Sequence, residues 1–209
     1  MVFALARAEA AHVSVQVMGR NGRPVSGLVI ALQSSVDRGA KSMETKHGTP
    51  AVMDQVDQRF LPFILPVRTG TPVTFPNSDS IAHQVYSFSP AKRFELGLYR
   101  GRPHPPVVFD KAGIVVIGCN IHDKMVGYIY VTDAPYFGKT NAQGEWRNEG
   151  VAPAEYTLEV WSPLLARDEP GLRRSLVIDD ALPNDVVIRL TRPVQQEPVT
   201  QTDRKARDY

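Results

Sequence analysis

Val13, Val15 and Val17 alternate with polar residues, the period-two pattern of a half-buried strand. Gly19-Arg20-Asn21-Gly22-Arg23-Pro24 follows with turn chemistry, and its Asn-Gly pair predicts a hairpin leading into the apolar segment Val25–Leu32. Ser34–Pro50 is polar and unpatterned, as a loop or linker is. Strand character resumes at Arg59 with Phe60–Val67 and, after Gly70, Thr71–Phe75. Gln84–Phe88 and Val107–Phe109 read as short extended segments. Ile114–Ile117 is continuously apolar, which predicts a strand buried on both faces. Tyr128–Val131, Glu145–Trp146, Tyr156–Trp161, Ser175–Ile178 and Val186–Leu190 complete the set. Short strands divided by Gly, Pro, Asn and Asp turns predict an all-β chain of the sandwich kind. No segment carries a helical period. One turn of helix is expected at Ala91–Leu96, with Pro90 at its start. The tail Pro193–Tyr209 is almost free of apolar residues and is expected to be disordered.

Composition narrows the function classes. With 24 Lys+Arg against 22 Asp+Glu, the formal charge is +2, which gives no argument for nucleic acid or an anionic membrane surface. Hydrophobic residues make up 43%, enough for a packed core, while 17 Pro and 15 Gly argue against long helices. No apolar run approaches the ~18 residues of a membrane span, so no integral membrane segment is expected. Met1–Ala6 is apolar and Ala8-Glu9-Ala10 has the form of a signal-peptidase site. Residues 1–11 therefore read as the end of an export signal that lacks its basic start, which predicts a periplasmic protein. There is one Cys. That excludes an intramolecular disulfide, a CxxC redox pair and a four-cysteine zinc cluster. It leaves Cys119 as an inert buried thiol, a nucleophile or a metal ligand.

Cys119-Asn120-Ile121-His122-Asp123-Lys124-Met125 places a thiol, an imidazole and a thioether within seven residues, directly after an apolar strand. A loop at a sandwich end can point all three at one centre. Thiolate with thioether suits copper, whereas carboxylates would suit magnesium or calcium. A second imidazole is available in His83, 36 residues upstream. His104, in a Pro-rich loop, reads as a rigid exposed residue, and His47, in the polar linker, and His12, near the N-terminus, read as solvated. Asp79 and Asp123 flank the ligand segments and read as loop hydrogen-bonding residues. Trp146 and Trp161 read as core. Ser162 has no His/Asp context that would make it a nucleophile. Lys92, Arg93, Arg100 and Arg102 form a basic stretch, either a solvated face or a surface that steers an acidic redox partner.

Three pieces together resemble a cupredoxin of the plastocyanin/amicyanin kind. They are Pro72-Val73-Thr74-Phe75-Pro76-Asn77-Ser78-Asp79 with His83-Gln84-Val85, then Phe109-Asp110-Lys111-Ala112-Gly113, then Cys119, His122 and Met125 with Gly127-Tyr128-Ile129-Tyr130-Val131. The stretch Val56–Asp133 carries the likeness, which extends to longer bacterial proteins called methylamine-utilization proteins. The resemblance implies a Greek-key β-sandwich. It also implies a type 1 copper site with His83, Cys119 and His122 as trigonal ligands and Met125 as the weak axial one. Asn77, Gln84 and Asn120 would stand behind the ligands. Gln84 departs from the family's usual Asn after the first His, and Gly118 stands in a strand where the family often has aromatics.

The flanks resemble a carboxypeptidase-regulatory, transthyretin-like sandwich. Val15-Gln16-Val17 with Gly22-Arg23-Pro24-Val25-Ser26-Gly27 looks like its opening. Thr140-Asn141-Ala142-Gln143-Gly144-Glu145-Trp146 and Val151–Leu158 look like its continuation, with Ala154 where that family usually has Gly. The expected organisation is a signal remnant at 1–11, a first sandwich part at 12–40, the cupredoxin at 48–133, a second sandwich part at 134–192 and a tail at 193–209. A tandem arrangement, with Val13–Leu32 serving as the cupredoxin's first strands, is the rival. The expected function is a periplasmic one-electron carrier, not an enzyme, exchanging electrons with a c-type cytochrome or a dehydrogenase. Copper storage or delivery, and a non-redox scaffold, are the alternatives.

Overall fold

The structure is a computed structural model that describes residues 11–34, 50–101, 104–179 and 184–198. The signal-like start, most of the predicted 34–50 loop and residues 199–209 of the tail lie outside it. Among the described residues seventeen strands follow in order. They are β1 (Ala11–Met18), β2 (Val29–Ser34), β3 (Ala51–Val52), β4 (Asp54–Val56), β5 (Arg59–Leu61), β6 (Ile64–Arg68), β7 (Thr71–Thr74), β8 (His83–Ser89) and β9 (Lys92–Tyr99). Then come β10 (Val107–Phe109), β11 (Gly113–Gly118), β12 (Val126–Thr132), β13 (Tyr136–Lys139), β14 (Glu145–Val151), β15 (Ala154–Trp161), β16 (Arg173–Ile178) and β17 (Asn184–Arg189). No helix occurs among the described residues.

The described parts of Met1–Gly39 and Ala134–Gln195 form one compact unit, and those of Ala40–Asp133 and Gln196–Tyr209 form another. In the first, a sheet ordered β14-β1-β17 and a sheet ordered β13-β2-β15-β16 share one hydrophobic cluster. The alternation in β1 puts Val13, Val15 and Val17 into that cluster, and β15 contributes Tyr156, Leu158 and Val160 by the same period. The Asn21-Gly22 turn forms, closed by Gly22 N–H to Gly19 O and Gly19 N–H to Arg23 O. It does not make the predicted hairpin. Past the single Met18–Pro24 bridge the chain changes sheet, so β1 pairs with β14 and β17 while β2 pairs with β13 and β15. Turn chemistry reports the reversal, and burial decides which sheet each strand joins.

In the second unit a five-stranded sheet runs β6-β12-β11-β8-β9, a three-stranded sheet runs β10-β7-β3, and β4 with β5 forms a short hairpin. Phe60, Val73, Phe75, Val85, Phe109, Val115, Ile117 and Ile129 meet in one core. Two expectations are corrected here. The helical turn expected at Ala91–Leu96 is strand β9, paired with β8 across a two-residue turn at Pro90-Ala91. Phe94 and Leu96 alternate inward and pack on the core, which a helix of that length could not arrange. β11 is not buried on both faces: Val115 and Ile117 are buried, but Val116 is 42% exposed. Its sheet carries the core on one side only, so an apolar run did not mean double burial.

Gly144 sits at φ +70° in the turn between β13 and β14, where an added Cβ would lie 2.6 Å from Val17 O and 2.9 Å from Val25 N. Both obstacles are backbone atoms. Gly144→Ala is expected to cost about 1–3 kcal/mol from overpacking and left-handed strain. A denaturant midpoint equal to that of the parent chain would contradict this packing.

Candidate metal centre

Antiparallel pairing of Gly118 with Tyr86 sets the register between β11 and β8. Period two then carries Ile117 and Cys119 from β11 and its exit, and His83 and Val85 from β8, to the inner face. All four are buried, His83 completely. After Cys119 the chain turns back on itself: Met125 N–H bonds His122 O at 2.9 Å, and Cys119 N–H bonds Met125 O at 3.2 Å. Those two bonds close the loop and return the half-buried His122 ring toward the thiol. Past Met125, Gly127 is needed for close approach, because a Cβ there would lie 2.8 Å from Phe60 Cβ.

His83, Cys119 and His122 form a group able to hold a metal ion. His83 Nδ1 lies 3.1 Å from His122 Nδ1, and Cys119 Sγ lies 3.9 and 3.6 Å from the same two nitrogens. The centre of the circle through these three atoms is about 2.1 Å from each, within the ~2.0–2.3 Å of metal bonds to imidazole and thiolate. Two imidazoles and a thiol thus fit a trigonal His₂Cys donor set. Met125 is buried at the end of the loop and lines, with Cys119, Asn120, Gly118 and Tyr86, a surface groove of about 470 Å³. The space left by Gly118 is taken by the Tyr86 ring, about 3.1 Å from where a Cβ would stand.

The other predicted residues divide. Asn77 is buried and fully used: its amide donates to Ile81 O and Tyr99 O, and its Oδ1 accepts Asp79 N–H. It thereby shapes the segment that delivers His83. The Gln84 side chain donates to Glu95 Oε1 across the β8–β9 pair. Asn120 is exposed at the groove. His104, expected to be exposed, makes an edge contact with the Tyr99 ring.

Asp79, expected to hydrogen-bond its own loop, also reaches a ligand ring. Its Oδ2 lies 2.9 Å from His83 Nε2 and accepts Gln58 N–H at 2.8 Å. Burial pushes this carboxyl up, but the hydrogen bonds from Gln58 N–H, His83 and Ser80 N–H outweigh it and hold it below the ordinary carboxylate value. Burial, and then the neighbouring His83, push His122 down, against a smaller opposing pull from Asp79. The four-residue spacing of Asp79 and His83 was visible in sequence, but a carboxylate four residues before a His is a signal only once both are known to leave the same loop. Beneath them Gln55, completely buried, donates to Pro76 O and to the Tyr99 hydroxyl, which in turn donates to Phe75 O.

No protein-family model matches the chain, and no curated protein matches it in sequence. Solved structures do match part of it. A Cu-containing nitrite reductase from Thermus scotoductus SA-01 is 26% identical over 41% of this chain and 23% of its own, with a TM-score of 0.39. A reduced amicyanin variant is 22% identical over 40% of this chain and 82% of its own, with a TM-score of 0.36. An oxidised amicyanin variant is 19% identical over 49% and 92%, with a TM-score of 0.37. The chain therefore spans less than a quarter of the nitrite reductase and most of the amicyanins.

Burial pushes the Tyr99 hydroxyl up to about 12 from its ordinary 10.0. An unfolded tyrosine ionises from pH 10, whereas Tyr99 keeps its proton. Its contribution is complete below pH 10 and is lost as the pH rises to 12. Tyr99→Phe is expected to cost about 1–3 kcal/mol at neutral pH, by stripping the buried bonds to Gln55 and Phe75. Its stability should also fall less steeply than the parent's above pH 10. Equal slopes in paired denaturation curves would contradict the burial argument.

Proposed function

We propose that the unit spanning 48–133 is a type 1 copper protein acting as a one-electron carrier. The observation that carries this reading is the convergence of His83 Nδ1, Cys119 Sγ and His122 Nδ1 on one point at bonding distance from all three. Met125, buried on the same loop, would be the weak axial ligand. Copper supplies a Cu(II)/Cu(I) couple when bound. The chain supplies ligands set by strand ends and loop hydrogen bonds before any metal arrives. A cage held that firmly changes little between oxidation states, which favours carrying electrons over catalysing a reaction.

His122 is half-buried, and next to it on the loop Ile121 is 55% exposed. An apolar surface beside the outer ligand suits weak, transient docking of a redox partner such as a c-type cytochrome or a dehydrogenase. The reading includes export to the periplasm on the signal-like residues 1–11. It also has the carrier's sequence inserted between the two parts, 12–40 and 134–192, of a transthyretin-like sandwich. Strand pairing supports that organisation over a tandem one, since β1 and β2 pair only with strands beyond residue 134 among the described residues.

Titrating reduced apo-protein with Cu(II) is expected to give one equivalent bound and an intense visible thiolate-to-copper band, lost in Cys119→Ser. Reversible voltammetry of the loaded protein would separate a carrier from a storage module, for which the couple would be irreversible. Absence of copper uptake would sink both.

A further inference from the structure

The copper reading leaves one polar assembly without a task. His83 is completely buried, and its Nε2 meets the Asp79 carboxylate at 2.9 Å. An ionised carboxylate only accepts, so Nε2 carries a proton, and in the neutral ring Nδ1 keeps its lone pair, facing Cys119 and His122. Asp79 is itself pinned. Gln58 N–H reaches Oδ2 at 2.8 Å, Ser80 N–H reaches Oδ1 at 3.1 Å, and its own N–H is held by Asn77 Oδ1 at 3.0 Å.

The Gln58 donor comes from an unusual place. Asp57 and Gln58 form the two-residue turn between the paired residues Val56 and Arg59, with φ of 51° and 59°. Two successive left-handed residues are the province of Asn-Gly, and neither residue here is Gly. Such strain persists where the surroundings over-determine it. Here the turn aims its second N–H at the carboxylate that holds His83.

We infer that Asp79 is a positioning residue of the metal centre, locked by the 57–58 turn, that fixes the His83 tautomer and places a negative charge behind the ion. This rests on the copper reading. A carboxylate behind a ligating imidazole orients the ring and raises its basicity. That charge stabilises Cu(II) more than Cu(I), so Asp79 lowers the reduction potential of the site.

The test compares the parent protein, Asp79→Asn and Gln58→Gly, each as apo-protein and copper-loaded. Asp79→Asn keeps an acceptor for Nε2–H and loses the charge. It is expected to raise the Cu(II) dissociation constant ten- to a hundredfold, with a smaller change for Cu(I). The potential then moves positive by about 59 mV for each tenfold difference between the two affinities. Gln58→Gly keeps the backbone donor and relieves the left-handed strain, so it should melt higher than the parent; an equal or lower melting temperature overturns the claim that the turn is held under strain. Imidazole ¹⁵N spectra of parent apo-protein should show His83 protonated at Nε2, a readout that needs no folded variant. An Nδ1–H tautomer there, or an Asp79→Asn protein with parental affinity and potential, overturns this inference while leaving the copper site standing. A parent protein that takes up no copper overturns the copper reading itself.

Discussion

Everything at the candidate site depends on one strand register, Gly118 of β11 opposite Tyr86 of β8. Because side chains alternate faces with period two, that pairing sends His83 and Cys119 to the same buried side. A slip of one residue would turn the imidazole to solvent and leave the thiol alone in the core. The register is secured on both flanks. β11 pairs with β12 along its whole length, from Gly113–Val131 to Gly118–Val126. β8 is held by β9, from His83–Tyr99 to Ser89–Lys92.

On that frame the site is held by buried side chains that hydrogen-bond the backbone around it before any metal is considered. Asn77 uses both ends of its amide to hold the segment that delivers His83. Gln55 and Tyr99 tie the floor to the backbone of Phe75 and Pro76. Cys119 and Met125 close their own loop. Buried polar groups left unmatched would each cost about 1–3 kcal/mol, so this connectivity is what makes a polar centre tolerable inside an apolar core. The two histidines and the thiol instead face one another, His83 Nδ1 at 3.1 Å from His122 Nδ1, as a group able to hold a metal ion.

Much of the strand pattern was legible because half-buried strands alternate. Tyr156–Trp161 and Ser175–Ile178 are found where the pattern put them, within β15 and β16. The failures have particular causes. β3 and β4 are two and three residues long, too short for a period to register. Pro90 suggested a helix start at Ala91–Leu96, yet it opens a hairpin turn, a role the same ring geometry serves equally well. The apolar run at β11 predicts burial on both sides, and Val116 is open because no second layer among the described residues covers that face.

By itself the sequence determined the local chemistry: an all-β chain, and a seven-residue loop with a thiol, an imidazole and a thioether at spacings that let them share a centre. Those properties are set by neighbours along the chain. Only the tertiary structure decided the rest, because it depends on residues far apart in sequence. It brought His83 within 3.1 Å of His122, set Asp79 behind it, and drew Gln58 from a separate hairpin to hold Asp79. It also sent β1 and β2 into different sheets despite the turn that joins them. Hydrogen bonds of that kind are chosen by which backbones end side by side, and spacing along one strand cannot specify the partner on another.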